Sequence, residues 1–189
     1  LRRFSWGQSR FRHRLLLFTL IAVAVAVLPS GCGVVRHIIQ TEVSLLEASE
    51  ALEAALAQLG VPYKFGGQTP DEGFDCSGLI VWAYKQVVPN VRLRIGDGTY
   101  EDGSMEDLFH WNVTLVAPQD LAPGDIVFLA DQSRRIVHGG LFIEETEKGF
   151  RFVNASSYWG RVVIDEWSWD GEKRGQQFAG AGRLRIVRQ

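Results

Sequence analysis

The sequence is short of cysteine, with two in 189 residues, Cys32 and Cys76. Two are too few for a disulfide framework or a cysteine-rich zinc site. Charge of one sign is also lacking. The formal net charge is -2, which gives no basic face to attract nucleic acid. There is no internal repeat and no low-complexity tract. The longest apolar run, 15–28, is about 14 residues, short of the roughly 20 that a membrane-spanning helix needs. What is present is ordinary globular material. The chain is 46% hydrophobic and 22% charged, and it is long enough for one domain with extra segments at the ends.

The N-terminal segment reads as a targeting signal. Arg2, Arg3, Arg10, Arg12 and Arg14 precede the apolar run, whose length suits a signal-peptide core. Pro29, Ser30 and Gly31 then lead to Cys32. Small residues before a cysteine after such a run resemble a bacterial lipoprotein signal. That resemblance implies cleavage before Cys32 and a lipid on its thiol. The usual pattern has Leu three places before the cysteine; here Pro29 stands there, with Leu28 one place further back. An uncleaved signal anchor and plain secretion are the alternatives. The expected division is a signal peptide over 1–31, a lipidated cysteine and tether over 32–43, and a folded domain over 44–189. The domain is then exported and held at a membrane facing the periplasm or cell wall.

Within the domain, Ser44 and Glu47 form a Ser-x-x-Glu capping box that opens a helix. Leu45, Leu52, Leu56 and Leu59 recur at helical spacing, with Ala48 and Ala55 on the same expected face. Gly60 fits the stop position, and Pro62 follows. A loop rich in Gly, Pro and Asp leads to a second helix over 76–87, with Leu79, Ile80, Ala83 and Val87 as its buried stripe. Residues 88–123 read as irregular, with short helical turns, lying over the active face. Strands are expected over 125–130, 135–144, 149–156, 161–167 and 183–187. Helices first and strands after imply an α+β domain, its N-terminal helices packed on an antiparallel sheet of five or six strands.

Cys76 sits where a Gly-rich loop meets the first turn of the second helix. A free thiol has a pKa near 8.5, so only about 3% is thiolate at neutral pH. Unpaired backbone N–H groups at a helix start favour negative charge by about 0.3–1 kcal/mol. A facing histidine adds to that. Position alone therefore allows a nucleophile or a buried inert thiol. Of four histidines, His13 and His37 fall in the signal region and tether, and His110 sits in the irregular stretch beside Trp111. His138 lies in a predicted strand and is followed by Gly139 and Gly140. Glycines inside a strand point to close approach of another backbone or a ligand. His138 is thus either a general base or an ordinary sheet histidine. Asn154, near the end of the next strand, either orients that imidazole or starts a turn with Ser156.

At these residues the chain resembles the NlpC-type cell-wall cysteine peptidases of the papain-like superfamily. The resemblance runs through Gly60, Pro62, Tyr63 and Gly66-Gly67. It continues through Phe74-Asp75-Cys76-Ser77-Gly78, Pro123-Gly124-Asp125, Val137-His138-Gly139-Gly140 and Phe152-Val153-Asn154-Ala155-Ser156. It implies a papain-like α+β domain that hydrolyses peptidoglycan stem peptides, often between D-γ-glutamate and a diamino acid. It implies Cys76 as nucleophile and His138 as base. Asn154 stands where the family usually has a second histidine and some members have Asn or Gln. Tyr63 matches a tyrosine near the oxyanion. Asp75 and Ser77 match positions that bind the free amino end of the stem. Asp75 is equally a favoured helix cap. No metal or cofactor is implied, and the enzyme is expected to act as a monomer. An amidase or acyltransferase with the same Cys-His pair is an alternative, as is a catalytically weak peptidoglycan-binding lipoprotein. The stretches 92–119 and 158–175 depart from the family pattern. The tryptophans of the second, Trp159, Trp167 and Trp169, are expected to pack rather than bind glycan.

Overall fold

The computed structural model describes residues 38–188. The expected signal peptide, His13, His37 and Cys32, the expected lipidation site, fall outside the described residues. Among the described residues no helix is long and apolar enough to cross a membrane.

Strand β1 (Thr41–Glu42) leads into helix α1 (Leu45–Leu56). Ser44 caps α1. Its hydroxyl accepts from the Glu47 backbone at 3.2 Å, and Glu47 Oε2 accepts from the Ser44 backbone at 2.7 Å. The buried face is Ala48, Ala51, Leu52 and Ala55. Leu45 and Leu59 are instead 55% and 48% exposed. The leucine spacing misplaces the face because this helix needs small side chains where it meets its neighbours. The Ala48 carbonyl lies against Gly124, and any Cβ there would overlap it. The helix also ends earlier than Gly60, at Leu56 with Ala57 as its cap. The following turn tightens through Gln58 and Leu59, whose N–H groups donate to Ala55 and Leu56 carbonyls.

A short hairpin, β2 (Gln68–Thr69) and β3 (Gly73–Phe74), runs into α2 (Cys76–Val87). A second hairpin follows, β4 (Leu93–Ile95) and β5 (Gly98–Tyr100), and then α3 (Met105–Trp111) and β6 (Val113–Leu115). The region read as irregular is therefore partly ordered. Its signal was a second capping box, Ser104 with Asp107, formed on both sides.

The remainder is sheet: β7 (Ile126–Asp131), β8 (Ile136–Thr146), β9 (Gly149–Ser156), β10 (Arg161–Ser168), β11 (Glu172–Lys173) and β12 (Gln176–Ile186). The antiparallel order is β1-β12-β7-β8-β9-β10, with β6 and β11 also paired to β12. This is the expected α+β architecture. Strand β12 begins seven residues before the expected 183. Its first half, Gln-Gln-Phe-Ala-Gly-Ala-Gly, has Phe178 as its one β former, but pairing with β7 sets its length, with a bulge between Phe178 and Gly180.

The sheet separates two cores. Ile126, Phe128 and Ala130 face the helices, while Val127 and Leu129 join Phe142, Phe150, Phe152 and Trp167 on the other side. The Pro-Gly-Asp block fixes the junction. Asp125 is fully buried and takes two bonds from Arg183, both at 2.9 Å. The Tyr84 hydroxyl donates to the Gly124 carbonyl at 2.9 Å. A buried carboxylate is tolerable only when paired this way. The block thus locks α1, α2 and β12 together and serves structure.

Candidate active site

Each residue of Phe74-Asp75-Cys76-Ser77-Gly78 has a local task. Phe74 is fully buried beneath the loop. Asp75 is the N-cap of α2: its Oδ1 accepts from the Gly78 backbone at 2.7 Å and from the Ser77 hydroxyl at 3.2 Å. Its Oδ2 accepts from the Gly66 backbone at 2.9 Å, tying the Gly-rich loop to the helix start. A Cβ on Gly78 would strike the Gly67 carbonyl, so only glycine lets the loop sit this close. Cys76 is thereby held as the first residue of α2, a half-buried free thiol. Burial first, and then the Asp75 charge, push that thiol up to about 12, against the pull of the Ser77 and Cys76 backbone N–H groups. At rest it is a neutral thiol.

His138 lies on β8. Its Nε2 is 3.0 Å from the Asn154 Oδ1 on β9. An amide oxygen accepts, so this contact places the ring proton on Nε2 and leaves the Nδ1 lone pair free. Asn154 is buried, and its Nδ2 finds no partner among the described residues. Burial holds the imidazole below the ordinary 6.5, opposed by the Asn154 bond and by Asp165, with Arg174 adding to the lowering. The two glycines explain how the strands come so close. A Cβ on Gly139 would meet the Val127 carbonyl of β7, and one on Gly140 the Val153 carbonyl of β9. On Gly140 it would also come within 2.9 Å of the Asn154 Cβ, so glycine there leaves room for the amide.

A separate cavity opens on each of Cys76 and His138. One, of about 480 Å³, opens on Cys76 and is lined also by Asp75, Ser77, Asp102, Met105 and Val137. The other, of about 220 Å³, opens on His138 and is lined also by Ser156, Tyr158, Arg174 and Gln176. The β4–β5 hairpin and α3 wall the first, over the face expected for 88–123. Tyr63 is half-buried; burial first, and then the Cys76 and Asp75 charges, raise its phenol above the ordinary value. Asp75 and Ser77 line the Cys76 cavity, but their polar atoms already bond within the loop and cap. His110 stands apart, exposed at the end of α3 and edge-on to Phe109. Of the tryptophans, Trp167 is buried and Trp169 stacks on Phe150 at 4.6 Å, while Trp159 is 51% exposed.

Residues 60–173 match the family model described as the NlpC/P60 family. The chain belongs to the NlpC/P60 family. Among curated relatives, it is 37% identical over 107 residues to the gamma-DL-glutamyl hydrolase of Bacillus subtilis (strain 168), covering 56% of this chain and 22% of that one. It is 38% identical over 88 residues to the probable endopeptidase YafL of Escherichia coli (strain K12), covering 46% and 32%. To the murein DD-endopeptidase MepH of the same strain it is 32% identical over 124 residues, covering 60% and 43%. The chain thus spans less than half the length of these relatives. Two solved structures share the fold. The NlpC1 protein of Trichomonas vaginalis superposes with a TM-score of 0.55 at 21% identity, covering 80% of this chain and 47% of that one. A lipoprotein-like NLP/P60 protein of Staphylococcus aureus gives 0.56 at 22% identity, covering 81% and 45%.

Cys76, His138 and Asn154 all lie inside the NlpC/P60 match, as do Tyr63, Asp75 and Ser77. The cavity-lining residues that sequence reasoning missed are Asp102, Ser104, Met105 and Asp107 on the Cys76 side, and Tyr158, Arg174 and Gln176 on the His138 side. Arg174 falls one residue beyond the match. Among the described residues no three His, Cys, Asp or Glu side chains gather as metal ligands.

Proposed function

We propose that this chain is a cysteine peptidase that hydrolyses peptidoglycan stem peptides through a Cys76-His138-Asn154 triad. The observation that carries the reading is the His138–Asn154 bond, which leaves Nδ1 as the free base on a strand packed against the helix that starts at Cys76. In the proposed mechanism, Nδ1 takes the thiol proton as the sulfur attacks the carbonyl. The Cys76 backbone N–H, with the Tyr63 hydroxyl, stabilises the oxyanion. The thioester forms, the amine leaves with the proton from His138, and water then releases the acyl fragment. The bond proposed is that between D-γ-glutamate and a diamino acid, supported by the relative named gamma-DL-glutamyl hydrolase. The signal-like start and Cys32 would hold the enzyme at a membrane beside its substrate.

Incubation with a full stem peptide and mass analysis of the products tests this. The expected result is two fragments whose masses sum to the peptide plus one water, divided after the γ-glutamyl carbonyl. An intact but bound peptide points to the binding lipoprotein instead. An acyl group moved to another amine or alcohol points to an acyltransferase.

A further inference from the structure

We propose that the cavity opening on His138 is a leaving-group subsite for an anionic amino acid, with Arg174 as its carboxylate-binding residue. This rests on the peptidase reading above.

The direction follows from the chemistry. The imidazole that accepts the thiol proton returns it to the departing amine, so the amine side of the substrate lies on the His138 side. The cavity there is lined by His138 and not Cys76, whereas the other is lined by Cys76 and not His138. Its volume of about 220 Å³ is below the roughly 300–1,000 Å³ of pockets for drug-sized ligands, and suits one residue. The two cavities also differ in charge. Among the described residues, the Cys76 side is lined by Asp75, Asp102 and Asp107 with no cation, and the His138 side by Arg174 with no carboxylate. A peptide that is cationic at its acyl end and anionic at its leaving end fits that polarity.

Arg174 is held in place by several contacts. It sits with Gly175 in the two-residue turn joining β11 to β12, at φ values of 57° and 73°. That turn favours Asn or Gly at its first position, so arginine is an unfavourable choice for the backbone. The side chain compensates through its contacts. Its guanidinium lies 4.0 Å from the Tyr158 ring centre, and its Nη1 donates to Asp165 at 2.6 Å. Lys173 holds the other Asp165 oxygen at 3.1 Å, so one carboxylate faces two cations and positive charge is left over. The Arg174 side chain remains 22% exposed, and among the described residues only its Nη1 is hydrogen-bonded. A guanidinium has further N–H donors that suit a planar carboxylate. Ser157 and Gln176 add neutral polar groups to the same wall.

The alternative is that Arg174 merely pins the aromatic loop, and a substrate pair separates the two. The whole chain is given two peptides with the same γ-D-glutamyl bond. In one, the leaving amino acid carries a free side-chain carboxylate; in the other, that group is the primary amide. Wild type should favour the carboxylate by about 10- to 100-fold in kcat/KM, the range expected of a charge-assisted hydrogen bond. Arg174→Gln should bring the ratio close to one, and Arg174→Lys should restore part of it. Equal cleavage of both peptides by wild type overturns the subsite while leaving the peptidase intact. So does an Arg174→Gln variant that slows both peptides alike. The wild-type ratio holds as a test even where a variant fails to fold. Cleavage of neither peptide overturns the peptidase reading and the subsite with it.

Discussion

Cys76→Ala is expected to lower hydrolysis of a stem peptide by at least about 10⁴-fold, the scale seen when a nucleophile is removed. The fold should survive the change. The α2 start is fixed by Asp75, whose carboxylate caps Gly78 at 2.7 Å and anchors Gly66 at 2.9 Å. Neither bond involves the thiol. The site is half-buried and alanine suits a helix, so the melting temperature should move by only a few degrees, on the order of 1 kcal/mol or less. Loss of turnover with an unchanged melting curve is the expected pair of results. Turnover within about tenfold of wild type would mean that another group attacks the carbonyl.

His138→Ala is expected to lower kcat by roughly 10²–10⁴-fold or more, the range for a positioned general base. The pH profile gives a finer check. The neutral imidazole is the working form. Burial lowers its pKa below 6.5, so the active fraction rises with pH through a value lower than an ordinary histidine shows. The acid limb of kcat/KM should therefore have its midpoint below pH 6.5. Asn154 bonds the ring in a way that favours the charged form. Asn154→Ala should therefore move the limb lower still, while reducing kcat because the tautomer is no longer fixed. A midpoint at or above 6.5, or an upward move in Asn154→Ala, would contradict the assignment. Burial and the Asp75 charge push the resting thiol up to about 12, which favours its neutral form. Proton transfer then accompanies attack on the substrate.

Local signals read well where one residue alone satisfies a backbone need. The Ser44–Glu47 box, the Asp75 cap and the bounds 76–87 of α2 are present as the sequence implied. Strand β9 matches 149–156 because its β formers lie between clear turns. The signals failed where tertiary packing overrides local preference. The alanine face of α1 is set by the Gly124 contact, and the small-residue half of β12 by its partners β7 and β6. The candidate residues Cys76, His138 and Asn154 could be picked out because each sits in a tight local pattern. The walls of the two cavities were not. Asp102, Met105 and Arg174 come to the site from separate turns and a short helix, and no spacing rule connects them to Cys76 or His138.

The central claim is that the acyl fragment passes through a thioester on Cys76. Added hydroxylamine tests it most directly, because a thioester is open to attack by either water or that amine. With hydroxylamine present during turnover of a stem peptide, mass spectrometry should find the γ-glutamyl fragment divided between free acid and hydroxamate. Both should disappear in Cys76→Ala. Amine release that yields free acid alone, at every hydroxylamine concentration, would show water attacking without an acyl-enzyme and would contradict the account.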